Sequence, residues 1–152
     1  MMKESKDFKE FIELLNKNDC RYLIVGGYAL SFHSRPRYTD DIDFWIDSQL
    51  DNAEKLIKVL RDFGFEQLDI TAADLTRPNQ IVQLGYAPLR IDILTSIDGL
   101  TFEDAYEKKV KFKYSGVEAT IISLDDLIIN KKSSGRKKDL FDLDWIRQYS
   151  SK

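Results

Sequence analysis

The stretch YTDDIDFWID, residues 38–47, combines the alternation of a β-strand with four aspartates, a residue that strands generally avoid. Side chains alternate between the two faces of a strand, so Asp41 and Asp43 share one face while Asp40 points to the other. Their backbone positions lie about 6.6–6.8 Å apart, close enough for both carboxylates to reach one cation. Because the chain has one cysteine and one histidine, its available ligands are hard oxygens, which suit Mg²⁺ or Mn²⁺ rather than zinc.

An acid-x-acid pair is a weak signal alone, because roughly four such pairs arise by chance among 26 acids in 152 residues. An edge strand whose charges stay in solvent would give the same pattern. A further acid, Asp92, lies inside the apolar strand pattern LRIDIL, where a buried carboxylate without a partner is costly. Three carboxylates on neighbouring strands would supply the ligands that two metal ions need for phosphoryl or nucleotidyl transfer.

Three basic or glycine-rich segments could bind phosphate. The glycines of VGG, residues 25–27, would let backbone N–H groups approach a phosphate, although a tight strand-to-helix turn explains them equally well. RPRYT places Arg35 and Arg37 just ahead of the acids. KKSSGRKK, residues 131–138, packs five cations into eight positions and could hold phosphates or an RNA acceptor, or form a solvated helix end.

Hydrophobic periodicity predicts the elements that must position these residues. The first half should contain a helix capped by Ser5, a strand RYLIVGG ending at Gly26, a short helix YALSFHS, the strand DIDFWID, and a helix capped by Ser48 or Asp51 and ended at Gly64. The second half should contain two strands in QIVQLGYAPLRIDILT, a short helix TFEDAYEKK, a hairpin turning at Ser115 and Gly116, a helix opened by Ser123 with Asp126 in the capping-box position, and a last helix KKDLFDLDWIRQYS. The fold class predicted is α+β (α/β), with a mixed sheet of about five to six strands and helices packed on it.

Composition limits the function classes. A length of 152 residues with 43% hydrophobic content predicts a single domain, residues 1–152, with a C-terminal helical part from about 123 to 150. The net charge of −3 argues against non-specific polyanion binding by the whole chain, so any nucleic-acid contact must be local. With no leader pattern and no 18-residue apolar run, we expect a cytoplasmic protein without membrane contact. Among the aromatic residues, Trp45 shares the predicted face of Asp43 and is a candidate for base stacking.

The run VGGYALSFHSRPRYTDDIDFWI followed by RIDIL resembles the nucleotidyltransferase superfamily, which has a polymerase-beta-like fold. The pattern of that superfamily is a glycine pair, a short helix, an Asp-x-Asp on the next strand and a later third aspartate. Within it the chain is most similar to the abortive-infection-type, AbiEii-like branch, which has Gly-Gly, an arginine and a T-x-D-x-D run. The matching positions are Gly26, Gly27, Arg37 and Thr39 to Asp43, and in the C-terminal part Lys131, Arg136, Lys138, Asp139 and Asp142.

The resemblance implies a nucleotidyltransferase that moves a nucleoside monophosphate from an NTP such as ATP to a hydroxyl acceptor. It assigns Mg²⁺ (or Mn²⁺) to Asp41, Asp43 and Asp92, which would be the catalytic residues. It assigns nucleotide contacts to Gly26, Gly27, Arg37, Thr39, Lys131 and Arg136. Many superfamily members have a serine where Gly27 stands, so this chain lacks a hydroxyl at that position.

The implied acceptor is an RNA, a protein or a small molecule. The resemblance also points to a toxin–antitoxin or phage-defence component, with a cognate antitoxin or a helical protein as partner. Two other classes stay open at this point: a nucleotide-binding regulatory module that has lost turnover, and a metal-free protein-interaction domain.

Overall fold

The computed structural model describes residues 5–36, 39–65, 69–86 and 89–150. Within these residues the first half of the chain forms α1 (Lys6–Lys17), β1 (Tyr22–Val25), α2 (Gly26–His33), β2 (Asp41–Ile46), α3 (Leu50–Asp62) and a short 3₁₀ turn (Asp74–Thr76). The second half forms β3 (Ile81–Tyr86), β4 (Leu89–Leu94), α4 (Phe102–Glu107), β5 (Val110–Tyr114), β6 (Val117–Ile121), α5 (Leu124–Ser134) and α6 (Lys137–Tyr149).

The strands join in one mixed sheet, which in the described part of the chain has six members in the order β3-β4-β2-β1-β6-β5. The central strand β2 is antiparallel to β1 and parallel to β4. The pairs β3–β4 and β5–β6 are antiparallel, whereas β1 and β6 are parallel. The predicted mixed α+β sheet is therefore confirmed.

Local chemistry explains several element boundaries. The side chain of Ser5 accepts a hydrogen bond from the backbone N–H of Phe8, which confirms the predicted cap of α1. Ser123 caps α5 in the same way by accepting from the N–H of Asp126. The β5–β6 hairpin turns at Ser115 (φ 48°) and Gly116 (φ 86°), two successive left-handed residues as a tight hairpin turn of this hand requires.

Two predicted boundaries are wrong. Strand β1 ends at Val25, and Gly26 already begins α2. Helix α3 follows Gln49 without a side-chain cap, so neither Ser48 nor Asp51 has the predicted role. The buried Asn52 fixes this helix start instead, because its side-chain amide donates to the backbone carbonyls of Arg21 and Asp47.

The core lies on both faces of the central strands. Ile42, Phe44 and Ile46 on β2 are completely buried, as their alternation predicted. Trp45 is also buried, and its ring packs edge-on against Phe102 with the ring centroids 5.2 Å apart. Trp45 is therefore a core residue, and the expectation that it could stack a base is wrong.

The chain ends in a pair of helices. Helix α5 stops at Gly135, whose left-handed φ of 65° turns the backbone towards α6. Among the described helices, none is both long and apolar enough to cross a membrane.

Candidate active site

Three aspartates meet at the centre of the sheet. Asp41 and Asp43 lie on β2, and the parallel register pairs Asp43 with Asp92 and Asp41 with Arg90 on β4. Paired residues on adjacent strands point to the same face, so the two strands bring the three carboxylates together. One oxygen from each lies within 4.8 Å of the others. The grouping predicted from two separate sequence motifs is present, and we call these residues the aspartate triad.

The triad is held in a partly enclosed position. Asp92 is buried, while Asp41 and Asp43 are half-buried. Burial, the charges of Asp41 and Asp92, and a hydrogen bond with Asp92 raise the pKa of Asp43 from 3.8 to about 7. The cause is like-charge crowding away from water, which favours a proton on one of the carboxyls. The positive charge of Lys138 on α6 acts in the opposite direction, so the start of α6 lies within electrostatic range of the triad.

Arg90 is the cation that the structure places between these acids. Its Nε donates to Asp92 Oδ1 at 2.9 Å, and its Nη2 donates to Asp92 Oδ2 at 3.1 Å and to Asp41 Oδ2 at 3.2 Å. A guanidinium can grip a carboxylate with two parallel hydrogen bonds in this manner. Sequence reasoning did not single out Arg90, although its position two residues before Asp92 in LRIDIL puts both on one strand face.

Gly26 makes room for the triad. Its φ of 70° is left-handed, and a Cβ built on it would lie 2.1 Å from Asp43 Oδ2. A Cβ on Gly27 would come within 3.3 Å of Thr39 Oγ1. The glycine pair therefore lets the first turn of α2 approach both side chains, which is a packing reason for glycine in addition to the predicted approach of phosphate.

Thr39 orients Asp41. Its hydroxyl lies within hydrogen-bond distance of the Asp41 backbone oxygen (3.1 Å) and of Asp41 Oδ1 (3.2 Å). The same hydroxyl lies beside Gly27, close to the position that the Cβ of a serine at position 27 would occupy. Thr39 thus supplies a hydroxyl to this part of the site from another segment of the chain.

The remaining predicted contacts are located as follows. Arg37 lies outside the described residues. The guanidinium of Arg35 lies 5.0 Å from the ring centroid of Tyr149, and the Arg35 carbonyl accepts from the indole N–H of Trp145. Asp40 is outside the triad, as its strand parity predicted, and its carbonyl accepts from the N–H of Arg90.

Lys131 and Arg136 belong to a second charged group, which we call the helix-pair cluster. It consists of Lys131, Ser134, Arg136, Asp139 and Asp142. The Lys131 ammonium is buried and binds Asp139 at 3.2 Å and Asp142 at 2.9 Å. Arg136, whose side chain is mostly exposed, binds Asp139 at 2.8 Å. In the described part of the chain no ion pair joins Lys131 or Arg136 to the triad.

Asp139 shows how this cluster differs electrostatically. Burial alone would raise the pKa of Asp139, but hydrogen bonds from Ser134, Arg136 and Lys131 outweigh it and hold that pKa below its ordinary value. Each buried carboxylate of the cluster is bound by a cation, so removal of one partner would leave a buried charge between α5 and α6 without compensation.

The donor set of the triad fits a small divalent cation. Mg²⁺ prefers oxygen ligands at about 2.0–2.1 Å, so opposite ligands in its coordination sphere lie about 4.2 Å apart. The 4.8 Å limit on the triad oxygens is within a small side-chain movement of that span. Carboxylates alone also match the preference of Mg²⁺ and Mn²⁺ over zinc.

A helix that starts at a glycine pair, an Asp-x-Asp strand, and a third aspartate on the parallel neighbouring strand together form the arrangement of a nucleotidyltransferase. The chain belongs to the DUF2204 family, described as "Nucleotidyl transferase of unknown function", whose model matches residues 4–152. The superfamily predicted from the glycine and aspartate motifs is thus confirmed. The likeness to the AbiEii-like branch is not confirmed.

Solved structures share the fold. The lincosamide antibiotic adenylyltransferase LnuA, in its lincomycin-bound structure, is 15% identical, with 94% of this chain and 96% of that chain covered and a TM-score of 0.54. A protein from Thermotoga maritima described as a nucleotidyltransferase is 14% identical, with 93% of this chain and 91% of that chain covered and a TM-score of 0.63. At these identities the likeness concerns the fold alone. The comparison with curated proteins finds no match.

Proposed function

We propose that this protein transfers a nucleoside monophosphate from an NTP to a hydroxyl acceptor at the aspartate triad, with Mg²⁺ or Mn²⁺ as cofactor. The observation that carries the proposal is the convergence of Asp41, Asp43 and Asp92 within 4.8 Å. Family membership supports nucleotidyl transfer as the reaction class.

In this proposal the three aspartates are the catalytic residues and the metal ligands. When bound, the divalent cation neutralises charge on the phosphate oxygens and polarises the acceptor hydroxyl. The acceptor oxygen forms a bond to the α-phosphorus, the bond from that phosphorus to the bridging oxygen breaks, and pyrophosphate leaves. Asp92, the most buried of the three, has one of two roles in this proposal: it binds a second metal ion, or it takes the hydroxyl proton as the base.

The phosphates would meet the start of α2. Gly26 and Gly27 are its first two residues, so their backbone N–H groups are free of partners within the helix and suited to oxygens of the β- and γ-phosphates. Lys138 adds a positive charge within electrostatic range of Asp43. Arg37 and the exposed Arg136 stay predicted phosphate contacts. We assign Lys131 to the helix-pair cluster instead, because a phosphate contact would cost it two buried ion pairs.

The acceptor is proposed by class only: an RNA, a protein or a small molecule bearing a hydroxyl. A small-molecule alcohol is included because an adenylyltransferase of a lincosamide antibiotic shares the fold. The toxin–antitoxin or phage-defence role, its antitoxin or helical partner and the cytoplasmic location stay predictions from the sequence.

The test is label transfer. Purified protein is incubated with each α-labelled NTP, Mg²⁺ or Mn²⁺, and pools of cellular RNA, protein and small-molecule alcohols. Asp41→Asn with Asp43→Asn should lower transfer roughly a thousandfold or more, since the groups that neutralise transition-state charge are lost. The matched control is Asp40→Asn, which removes a neighbouring carboxylate from the other strand face and should leave transfer within a few-fold of the wild type.

Transfer that survives the double substitution would sink the proposed site. Metal-dependent NTP binding without any transfer would favour the inactive regulatory module. Absence of metal and NTP binding in the wild type would favour the metal-free interaction domain.

A further inference from the structure

The triad carries more negative charge than its surroundings balance. When all three carboxylates are ionised they contribute −3, and Arg90, the cation hydrogen-bonded to them, returns +1, which leaves −2 before the more distant charge of Lys138 is counted. The hydrogen bonds from Arg90 reach both oxygens of Asp92 and one oxygen of Asp41. Arg90 therefore sits on ligand atoms that a divalent cation at the triad would need.

The hydrogen bonds of Arg90 go to Asp41 and Asp92 and not to Asp43, among the described contacts. Asp43 lies against Gly26 instead. Arg90 therefore balances part of the charge of two of the three carboxylates.

Arg90 has room to leave. Its side chain is 38% exposed, in contrast to the 10% exposed side chain of Asp92 to which it binds. The residue paired with Arg90 on the neighbouring strand β3 is Gly85, which has no side chain to block this movement. A guanidinium on a long, flexible stem with this exposure can turn outwards into solvent.

We propose that Arg90 is a resident counter-cation that exchanges with the divalent metal. It occupies the triad when metal is absent, is displaced when metal binds, and then binds the phosphates of the incoming NTP. The proposal rests on the proposed function, because it requires a metal site at the triad. Phosphate is the expected new partner, since a planar guanidinium binds phosphate oxygens with the same two-pronged geometry that it uses for a carboxylate.

The experiment measures Mn²⁺ binding to the full chain by electron paramagnetic resonance, without nucleotide, in the wild type and in Arg90→Gln. Loss of the competing cation should tighten Mn²⁺ binding about tenfold, the usual scale for groups around a metal site. A non-hydrolysable NTP analogue, titrated at saturating Mn²⁺, should bind the variant about tenfold more weakly, because a charge-assisted contact is lost. Arg77→Gln, which removes the same charge from an exposed pair with Asp74, is the control and should change neither affinity.

The outcomes separate the two proposals. Equal or weaker Mn²⁺ binding in Arg90→Gln than in the wild type overturns the exchange while the metal site stands. An unchanged analogue affinity overturns the phosphate contact. Failure of both proteins to bind Mn²⁺ overturns the proposed function itself.

A second measurement needs no variant at the site. In wild-type protein labelled with ¹⁵N, the Arg90 Nε–H signal should be protected from solvent exchange without metal, because it donates to Asp92. Saturating Mg²⁺ should shift that signal and remove the protection. A signal that stays in place and protected would show that Arg90 is a fixed scaffold of the triad.

Discussion

The aspartate triad and the helix-pair cluster both gather aspartates around a basic side chain, yet they differ in charge balance and in access to solvent. In the helix-pair cluster, two cations, Lys131 and Arg136, face two carboxylates, Asp139 and Asp142, so the formal charges cancel. In the triad, three carboxylates face Arg90 alone among the hydrogen-bonded cations of the described residues. The first arrangement is balanced, and the second has more carboxylates than hydrogen-bonded cations.

The pKa values move in opposite directions for this reason. Hydrogen bonds from cations hold the pKa of Asp139 below its ordinary value despite burial. Burial and neighbouring carboxylates raise the pKa of Asp43 to about 7. A surplus of like charge in a cleft is typical of functional sites, whereas a closed ion-pair network is typical of structural ones. Charge balance therefore distinguishes the aspartate triad from the helix-pair cluster, although both consist of aspartates and basic residues.

The substitution with the largest expected effect disrupts the helix-pair cluster. Lys131→Met removes the ammonium and leaves two buried carboxylates without that partner, which should cost about 3–5 kcal/mol of unfolding free energy. At about 2–4 °C per kcal/mol for a domain of this size, the melting temperature should fall by roughly 10 °C. Thermal unfolding followed by circular dichroism measures this change.

The control for that variant is Arg147→Met, which breaks an exposed pair with Asp144 and should shift the melting temperature little. An unchanged melting temperature in Lys131→Met would show that Lys131 is not structural and would return it to the set of nucleotide contacts.

The next effect concerns the pH dependence of the two clusters. An acid whose pKa is higher in the folded than in the unfolded chain binds its proton more tightly when folded, so it makes folding less favourable as pH rises between the two values. For Asp43 this window runs from about pH 4 to about pH 7. At about 1.4 kcal/mol per pH unit, the loss is at most about 4 kcal/mol. Asp139, with its lowered pKa, has the opposite sign and stabilises the fold above about pH 4.

Melting temperatures of the wild type and of Asp43→Asn, recorded from pH 4.5 to 8 with a metal chelator present, test this prediction. The wild type should lose stability relative to the variant up to about pH 7 and stay level above it. Parallel curves would show that Asp43 titrates normally. Metal affinity should in turn fall about tenfold per unit below pH 7, because the cation binds the deprotonated carboxylate.

The smallest expected effect comes from comparing Gly26, which lies beside the triad, with Gly135, which ends α5 in the helix pair. Gly26→Ala places a methyl group within 2.1 Å of Asp43 Oδ2 on a backbone with φ of 70°. Gly135→Ala shares the conformational cost, with φ of 65°, but its methyl group would meet nothing within 4 Å. Both should lose about 1 kcal/mol for the left-handed backbone, and Gly26→Ala should lose about 1–3 kcal/mol more through displaced packing.

Mn²⁺ affinity separates the two glycine variants more clearly than stability does. It should fall in Gly26→Ala, because Asp43 must move, and stay at the wild-type value in Gly135→Ala. Equal behaviour of the two variants would show that Asp43 adjusts freely and that Gly26 does not shape the site.

Much of the sequence-based prediction rested on strand alternation, helix caps and turn chemistry, which depend on residues close together in the chain. Alternation on β2 identified both the buried Ile42 and Phe44 and the shared face of Asp41 and Asp43, because strand parity depends on the backbone alone. The caps Ser5 and Ser123 and the hairpin turn at Ser115 follow from equally local chemistry. Asp92 was identified because an acid inside an apolar strand needs a reason to be there.

The features that the sequence did not predict depend on packing between residues distant in the chain. The pairing of Lys131 with Asp139 and Asp142 depends on how α5 and α6 turn about Gly135, which composition does not specify. The burial of Trp45 depends on α4, which places Phe102 over the sheet. Arg90 could have been found from its parity with Asp92, but its contact with Asp41, a residue 49 positions away, depends on the register between β2 and β4.

The position of β2 between β1 and β4 has a further consequence for how the molecule opens. Central strands exchange their amide hydrogens only when the whole domain unfolds, whereas edge strands such as β3 and β5 open locally. We therefore expect the triad to lie within the region of slowest hydrogen exchange, and its geometry should survive fluctuations that loosen the sheet edges. Since its two strands are distant in sequence, we expect the site to form only after the long loop between them has closed. A newly made chain would assemble the aspartate triad only once the central sheet is complete.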